Sequence, residues 1–308
     1  MEVFEGMRVY AHSVRVEADT RYTQASFEVN TKAGEEASEG SGFAVERSKD
    51  VRALDFEEIA SSAAEDAVNS IRPKTVPTGD YEAIFKPEAV STFIMFMGML
   101  GFSARANQEG YSFIGDKLGD RVFDEKLTVL DNGRDTSTLN ASPFDGEGVP
   151  KRALMLVNRG VAENLCYDTY HALKTGKEGT GHALSKLGGA WYGDFPLPIN
   201  QVVEPGDASL EEMIEETGRG VLITRLHYVN PIKRDKGIIS GMTRDGTWYI
   251  EDGEVKHPVK VMRFTDSITR VLTEIRSMGD ETTVKTLPYA TSPAIHAGRF
   301  KFTGQSEF

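Results

Sequence analysis

Residues Trp248-Tyr249-Ile250-Glu251-Asp252-Gly253-Glu254-Val255 read as a strand, a tight turn and a returning strand. Aromatic and β-branched side chains favour a pleated backbone, and the residues at the turn supply the positive φ that a short hairpin needs. The same pattern recurs upstream. Leu127-Thr128-Val129-Leu130 ends in Asp131-Asn132-Gly133, and Ala153 to Val157 turns through Asn158-Arg159-Gly160 into Val161 to Cys166. Short strands punctuated by Asn and Gly predict a strand-rich region over the larger, C-terminal part of the chain.

Helices interrupt those strands. A short strand, Glu82 to Phe85, leads to Pro87, which suits a first helical turn because its missing N–H costs nothing there. The uncharged run Ala89 to Ala104 follows, 16 residues between Glu88 and Arg105. A spanning helix needs about 18 or more, so the run reads as a buried core helix. Ser209 with Glu212 forms a capping box for a helix with Leu210, Met213 and Ile214 on one face, closed by Gly218. Ile268, Val271, Leu272, Ile275 and Met278 make a helical stripe ended by Gly279.

The first part of the chain has its own pattern. Ser13 to Ala18 and Gln24 to Val29 place apolar residues at every second position, as a half-buried antiparallel sheet does. Gly34 to Gly42, rich in Gly, Glu and Ser, reads as a mobile loop. Asp55 and Glu58 then form a capping box for a helix whose face carries Phe56, Ile59, Ala60, Ala63, Ala64, Ala67, Val68 and Ile71, with Pro73 as its stop. The fold class expected is α+β. Residues 1–78 form a small N-terminal sheet-and-helix (α/β) portion, and 79–308 a larger, strand-rich domain.

Composition narrows the function classes. The 308 residues are 39% apolar and 27% charged, as in an ordinary globular protein, and the formal net charge is −12. Residues 1–80 hold 16 acidic and 9 basic residues, so a net −7 falls in the first quarter. That balance argues against nucleic acid or anionic lipid as a partner. One cysteine, Cys166, makes no internal disulfide, and no basic segment followed by an apolar run opens the chain. A cytoplasmic protein with no membrane association is expected.

Motifs that carry chemistry are few. The six histidines, His12, His171, His182, His227, His257 and His296, show no H-E-x-x-H spacing. A hydrolase with an unconventional metal site drawing on His182, His227 or the Asp145/Glu147 pair is the least favoured reading. Cys166, in an expected strand, reads as a buried, inert thiol. Gly40-Ser41-Gly42 and Gly176 to Gly181 do not have the phosphate-loop pattern and read as plain loops. Asp145-Gly146-Glu147-Gly148 fixes two carboxylates in a glycine-framed segment before Pro150. It reads either as an elaborate turn, the favoured reading, or as a binder of a peptide amine or a metal.

An ordered set of motifs resembles the TldD/PmbA family, known in older naming as modulators of DNA gyrase. The set comprises Gly110-Tyr-Ser-Phe-Ile-Gly-Asp-Lys-Leu-Gly119, Leu127 to Asp131, Phe144-Asp-Gly-Glu-Gly-Val-Pro150 and Leu156-Val-Asn-Arg-Gly160. Thr180-Gly181-His182, Val203 to Ser209, Tyr249 to Val255 with Pro258, and Ser292-Pro293 continue it. The resemblance is strong from about residue 76 onwards and weak over 1–75.

The resemblance implies a barrel-like C-terminal domain and an N-terminal α/β domain that this chain enters partway, shortened relative to the family. TldD-type chains carry an HExxxH zinc motif, and the PmbA/TldE branch does not. Aligning Gly110-Tyr-Ser112 on the family's Gly-x-Ser puts Met95, Phe96 and Leu100 at the three motif positions. Thioether, phenyl and isobutyl groups supply neither the imidazoles nor the carboxylate of that motif. TldD-type chains also carry a cysteine near the C-terminus, which this sequence lacks.

The expectation is therefore a metal-free, PmbA/TldE-like subunit with no cofactor and no catalytic residue of its own. It would pair with a TldD-like partner that carries zinc, in a metalloprotease that degrades or trims unfolded proteins and peptides. Asp145, Glu147 and Gly148 are its candidate chamber-wall or orienting residues. The alternative is a stand-alone homodimeric peptide-binding or structural protein without catalysis.

Overall fold

The structure, a computed structural model, describes residues 1–12, 16–35, 38–184, 195–282 and 290–305. β1 (Glu2–His12) and β2 (Val16–Ala33) pair antiparallel, Glu2 opposite Ser26 and His12 opposite Val16. β3 (Gly40–Ser48) takes the other edge of β2, so the first sheet has the order β1-β2-β3. Ser13, Val14 and Arg15 of the first expected alternating run lie outside the described residues. Its remaining positions belong to β2.

α1 (Phe56–Asn69) packs on this sheet through Ile59, Ala63 and Ala67. The Asp55 carboxylate caps it by accepting the Glu58 N–H at 3.0 Å. The reciprocal half of the expected box is not formed. The expected loop at Gly34–Gly42 is shorter than its composition suggests, because Gly40, Ser41 and Gly42 already belong to β3. Their glycines serve close approach: a Cβ on Gly40 or Gly42 would run into the α1 backbone at Ala67 or Ala63.

From β4 (Gly79–Phe85) the chain builds a second body. α2 (Pro87–Gly101) follows, with Pro87 in its first turn, and then α3 (Ala104–Gln108). β5 (Val129–Asn132), β6 (Ala153–Asn158) and β7 (Val161–Ala162) form successive antiparallel neighbours. After α4 (Thr169–Thr175), β8 (Gln201–Val203) pairs on the other side of β5. Next come α5 (Leu210–Glu215), with its capping box between Ser209 and Glu212 complete, and the long pair β9 (Arg219–Lys233) and β10 (Ile238–Glu251). β11 (Glu254–Pro258), β12 (Met262–Ser267), α6 (Ile268–Leu272), β13 (Ile275–Met278), β14 (Ala290–Thr291) and β15 (Ile295–Gln305) complete the chain.

Five of these strands close on themselves. β10 pairs with β12, β12 with β15, β15 with β4, β4 in parallel with β9, and β9 with β10 again. A closed ring leaves few free edges to aggregate. β11 and β13 extend it, and β14-β8-β5-β6-β7 form a separate small sheet. The fold is α+β, a small sheet-and-helix region followed by a larger, strand-rich barrel region.

Aromatic packing fixes α2 to the barrel. Phe85 of β4 meets Phe93 of α2 and Phe300 of β15 edge-on, each at 5.0 Å between centroids. Burying such rings contributes roughly 1.5–3 kcal/mol each. Gly98 lies against Pro198 and Gln201, and Gly101 against Phe113, with no room for a Cβ. No helix among the described residues is long and apolar enough to cross a membrane.

Three local expectations change. The stripe Ile268–Met278 is helical only through Leu272, because β13 finds a partner in β15 and its hydrogen bonds go there. Asp131 and Asn132 continue β5 instead of turning, since β6 and β8 cover both its edges. Cys166 lies beyond β7, where it bridges to Ser103 by accepting the Ala104 N–H at 3.0 Å and donating its own to the Phe102 carbonyl at 2.8 Å.

Candidate functional site

α2 carries the three positions singled out in the sequence. Phe96 and Leu100 are buried in the main core, and Met95 is half-buried against it. All three side chains are held by packing alone. Twelve residues of α2 are buried. Such a helix is fixed by its surroundings, which explains its weak amphipathic pattern in the sequence.

The Asp145–Gly148 segment is a brace between loops. Asp145 is 2% exposed, and its Oδ1 accepts the N–H groups of Glu147 and Val149, each at 2.9 Å. Its Oδ2 accepts the Ala183 N–H at 2.9 Å, so the carboxylate ties this turn to the segment around His182. Glu147 Oε2 accepts the Thr169 N–H at 2.9 Å, at the start of α4. Gly148 has φ +78°, which favours glycine. The sequence motif therefore brings together Asp145, Glu147 and Gly148, but the two carboxylates serve different elements.

Behind the brace lies a buried polar cluster that the sequence reading did not identify. Asp131 of β5 is fully buried. Its Oδ2 accepts the Asn200 N–H at 2.8 Å, and its Oδ1 lies 3.1 Å from His182 Nε2. A carboxylate only accepts, so Nε2 carries the proton and donates it. Lys151 Nζ stands 3.8 Å from the same Oδ1 and makes no hydrogen bond with any described residue. Burial pushes the Asp131 carboxyl up, but Lys151, His182 and the Asn200 N–H outweigh it and hold it at about 2. The nearest sequence signal was Asp131-Asn132-Gly133, which looked like a turn. Lys151 had no signal at all.

The remaining candidates stay apart. His171 Nδ1 bonds the Asp168 carboxylate at 2.8 Å, and His257 stacks on Tyr249 at 5.2 Å. His296 Nε2 meets Glu82 Oε2 at 3.1 Å, and His227 packs beside Tyr228. Burial pushes the Cys166 thiol well above its ordinary value, aided by Asp131. A thiolate nucleophile is disfavoured there. Among the described residues, no three His, Cys, Asp or Glu side chains are grouped to hold a metal ion.

Residues 78–304 match the family model described as the PmbA/TldA metallopeptidase C-terminal domain. The chain belongs to the PmbA/TldD family. It is 29% identical over 231 residues to a protein named "Metalloprotease" from Methanothermobacter thermautotrophicus, covering 74% of this chain and 49% of that one. It is 24% identical over 226 residues to "Metalloprotease PmbA" from Escherichia coli O157:H7, covering 72% and 46%. The aligned part of the chain thus spans about half the length of these curated relatives.

Solved structures agree on the fold. TldE from Thermococcus kodakarensis superposes with a TM-score of 0.87 at 23% identity, over 98% of this chain and 68% of that one. A putative modulator of DNA gyrase from Thermotoga maritima gives 0.85 at 24%, over 96% and 66%.

A metallopeptidase family implies a metal, and the side chains of this PmbA/TldD member can be tested for one. Met95, Phe96 and Leu100 offer neither a basic nitrogen nor a carboxylate, and both oxygens of Asp145 and Oε2 of Glu147 accept backbone N–H groups. These five side chains do not fit a zinc ion. What the brace and the buried cluster can do chemically is hold loops and charges in fixed places.

Proposed function

We propose that this PmbA/TldD family chain is a metal-free, TldE-like subunit that pairs with a zinc-bearing TldD-type partner. The complex degrades or trims unfolded proteins and peptides, and the bond-breaking chemistry belongs to the partner. The observation that carries this reading is α2, where thioether, phenyl and isobutyl groups fill the motif positions and pack into a core. Asp145, Glu147 and Gly148 serve as wall or orienting residues, because a carboxylate that fixes three backbone amides keeps the adjoining loops in one shape. The division into 1–78 and 79–308 and a cytoplasmic location go with this reading.

The test is co-expression with the TldD-type chain of the same genome. The expected outcome is an equimolar complex that contains zinc and cleaves unfolded casein, while the isolated chain holds no zinc and leaves casein intact. Separate elution of the two chains, or stoichiometric zinc on the isolated chain, counts against it. A second reading, a homodimer without catalysis, draws support from β1. That edge strand exposes Val3, Phe4, Met7 and Val9, each more than half accessible, as a self-pairing strand would. Sedimentation of the isolated chain separates the two.

A further inference from the structure

A cleft of about 480 Å³ opens between α1 and β3 on one side and the barrel with the start of α2 and α5 on the other. Its size lies within the range of roughly 300–1,000 Å³ for ligand sites. Phe43, Val45, Ile59 and Leu210 give it apolar surface. Glu46, Glu58, Glu211 and Asp280 line it as well, and none of these carboxylates makes an ion pair or side-chain hydrogen bond with any described residue. The one basic side chain lining the cleft among the described residues is Lys86, whose ammonium lies 5.2 Å from the Trp248 ring. Among the described residues, these four carboxylates therefore have no paired cation.

A second observation points the same way. Thr224 lines the cleft, is 3% exposed, and its Oγ1 has no hydrogen-bond partner among the described residues. It shares a face of β9 with Leu222, which packs beside Met213 of α5, so its side chain is directed to the cleft side of the barrel. Buried hydroxyls in native proteins are nearly always satisfied, and one left unpaired beside a cleft marks a place for a ligand group. Asp66, also in the cleft, has its carboxyl pushed up by burial, with Lys86 opposing the shift. A cation bound nearby would relieve that cost.

We propose that this cleft binds an alkyl cation, an ammonium or guanidinium carried on an aliphatic stem. The stem lies on Phe43, Val45, Ile59 and Leu210, the charged head meets the carboxylates, and the Thr224 hydroxyl accepts one of its N–H groups. A metal ion fits less well, because the acids are spread around the cavity and no three described ligand-type side chains converge. Two sources carry this chemistry: a lysine or arginine of a peptide, and a free polyamine.

The test uses the whole chain without any partner, so its outcome is separate from that of the subunit reading. A fluorescein-labelled glycine peptide with two lysines is titrated by anisotropy, its glutamate counterpart serves as control, and spermidine is titrated by calorimetry. Saturable binding that weakens with salt is expected for a cation and not for the glutamate peptide. The tighter of lysine peptide and spermidine names the source, and either supports the site. Combining Glu58→Gln with Glu211→Gln should weaken binding at least about fivefold, whereas Glu57→Gln, on α1 but outside the cleft, leaves it unchanged. Thr224→Val should weaken binding without lowering the melting temperature, since its hydroxyl bonds no described residue in the free fold. Absence of binding by both cations, equal binding of the glutamate peptide, or equal weakening by Glu57→Gln overturns the proposal.

Discussion

The Lys151 ammonium stands 3.8 Å from the Asp131 carboxylate, and both side chains are shut off from solvent. Neither charge reaches bulk solvent. Removing Lys151 takes the ammonium from a buried carboxylate that keeps the His182 and Asn200 hydrogen bonds, and breaking a buried pair typically costs about 3–5 kcal/mol. Lys151→Met should lose that much stability in urea denaturation followed by circular dichroism, and Asp131→Asn added to it should recover part of the loss. The acid side has a definite sign. Asp131 is held at about 2 in the fold against an ordinary 3.8, so its contribution is intact above about 4 and is lost as pH falls towards 2. A Lys151→Met variant as stable as the parent would rule out the pair as a structural element.

His296 gives a pH dependence in a milder range. Burial pulls its imidazole below 6.5, Arg276 adds to that, and Glu82 and Glu216 oppose it. His227, lowered by burial and by Arg244 and Arg225, acts in the same direction. With the folded value below the unfolded one, the unfolded chain takes up protons first and stability falls as pH drops below about 6.5. The melting temperature should be lower at pH 5.5 than at pH 7.5, and His296→Gln should flatten that slope. An unchanged slope in the variant excludes His296 as its source.

Cys166 should resist thiol reagents in the native chain. Its sulfur is buried and its thiol is held protonated, so labelling requires opening of the structure. The rate of reaction with Ellman's reagent is expected to rise across the urea transition and not before it. Rapid labelling of the folded chain contradicts the packing around Ser103 and Phe102.

Asp145→Asn keeps the shape of the side chain and replaces one acceptor oxygen with a donor. At least one of three backbone N–H bonds is then lost, at a cost of about 1–3 kcal/mol. Hydrogen exchange should accelerate at the Glu147, Val149 and Ala183 amides while the barrel amides keep their protection. Unchanged exchange at Ala183 means that the brace does not join the two loops.

How far the sequence could be read depended on the range of the interactions. The Asp55 cap, the Ser209–Glu212 box, Pro87 in a first turn and the Trp248–Val255 hairpin all depend on neighbours a few residues apart, and each forms where expected. The stripe Ile268–Met278 did not hold beyond Leu272, because β15 competes for the backbone that local periodicity assigned to a helix. Gly40 and Gly42 looked like loop glycines, and what explains them is the α1 backbone lying against them.

Local order, caps, turns and the apolar character of α2 were set by the sequence alone, since those interactions span one or two turns of backbone. Tertiary structure decided the closure of the barrel, through the parallel pairing of β4 with β9 across more than a hundred residues. It also brought Asp131, Lys151 and His182 together, and the carboxylates of α1, β3 and α5 around one cleft. Charge and burial act through space, and distance in space is what a linear chain leaves unspecified until its core has packed.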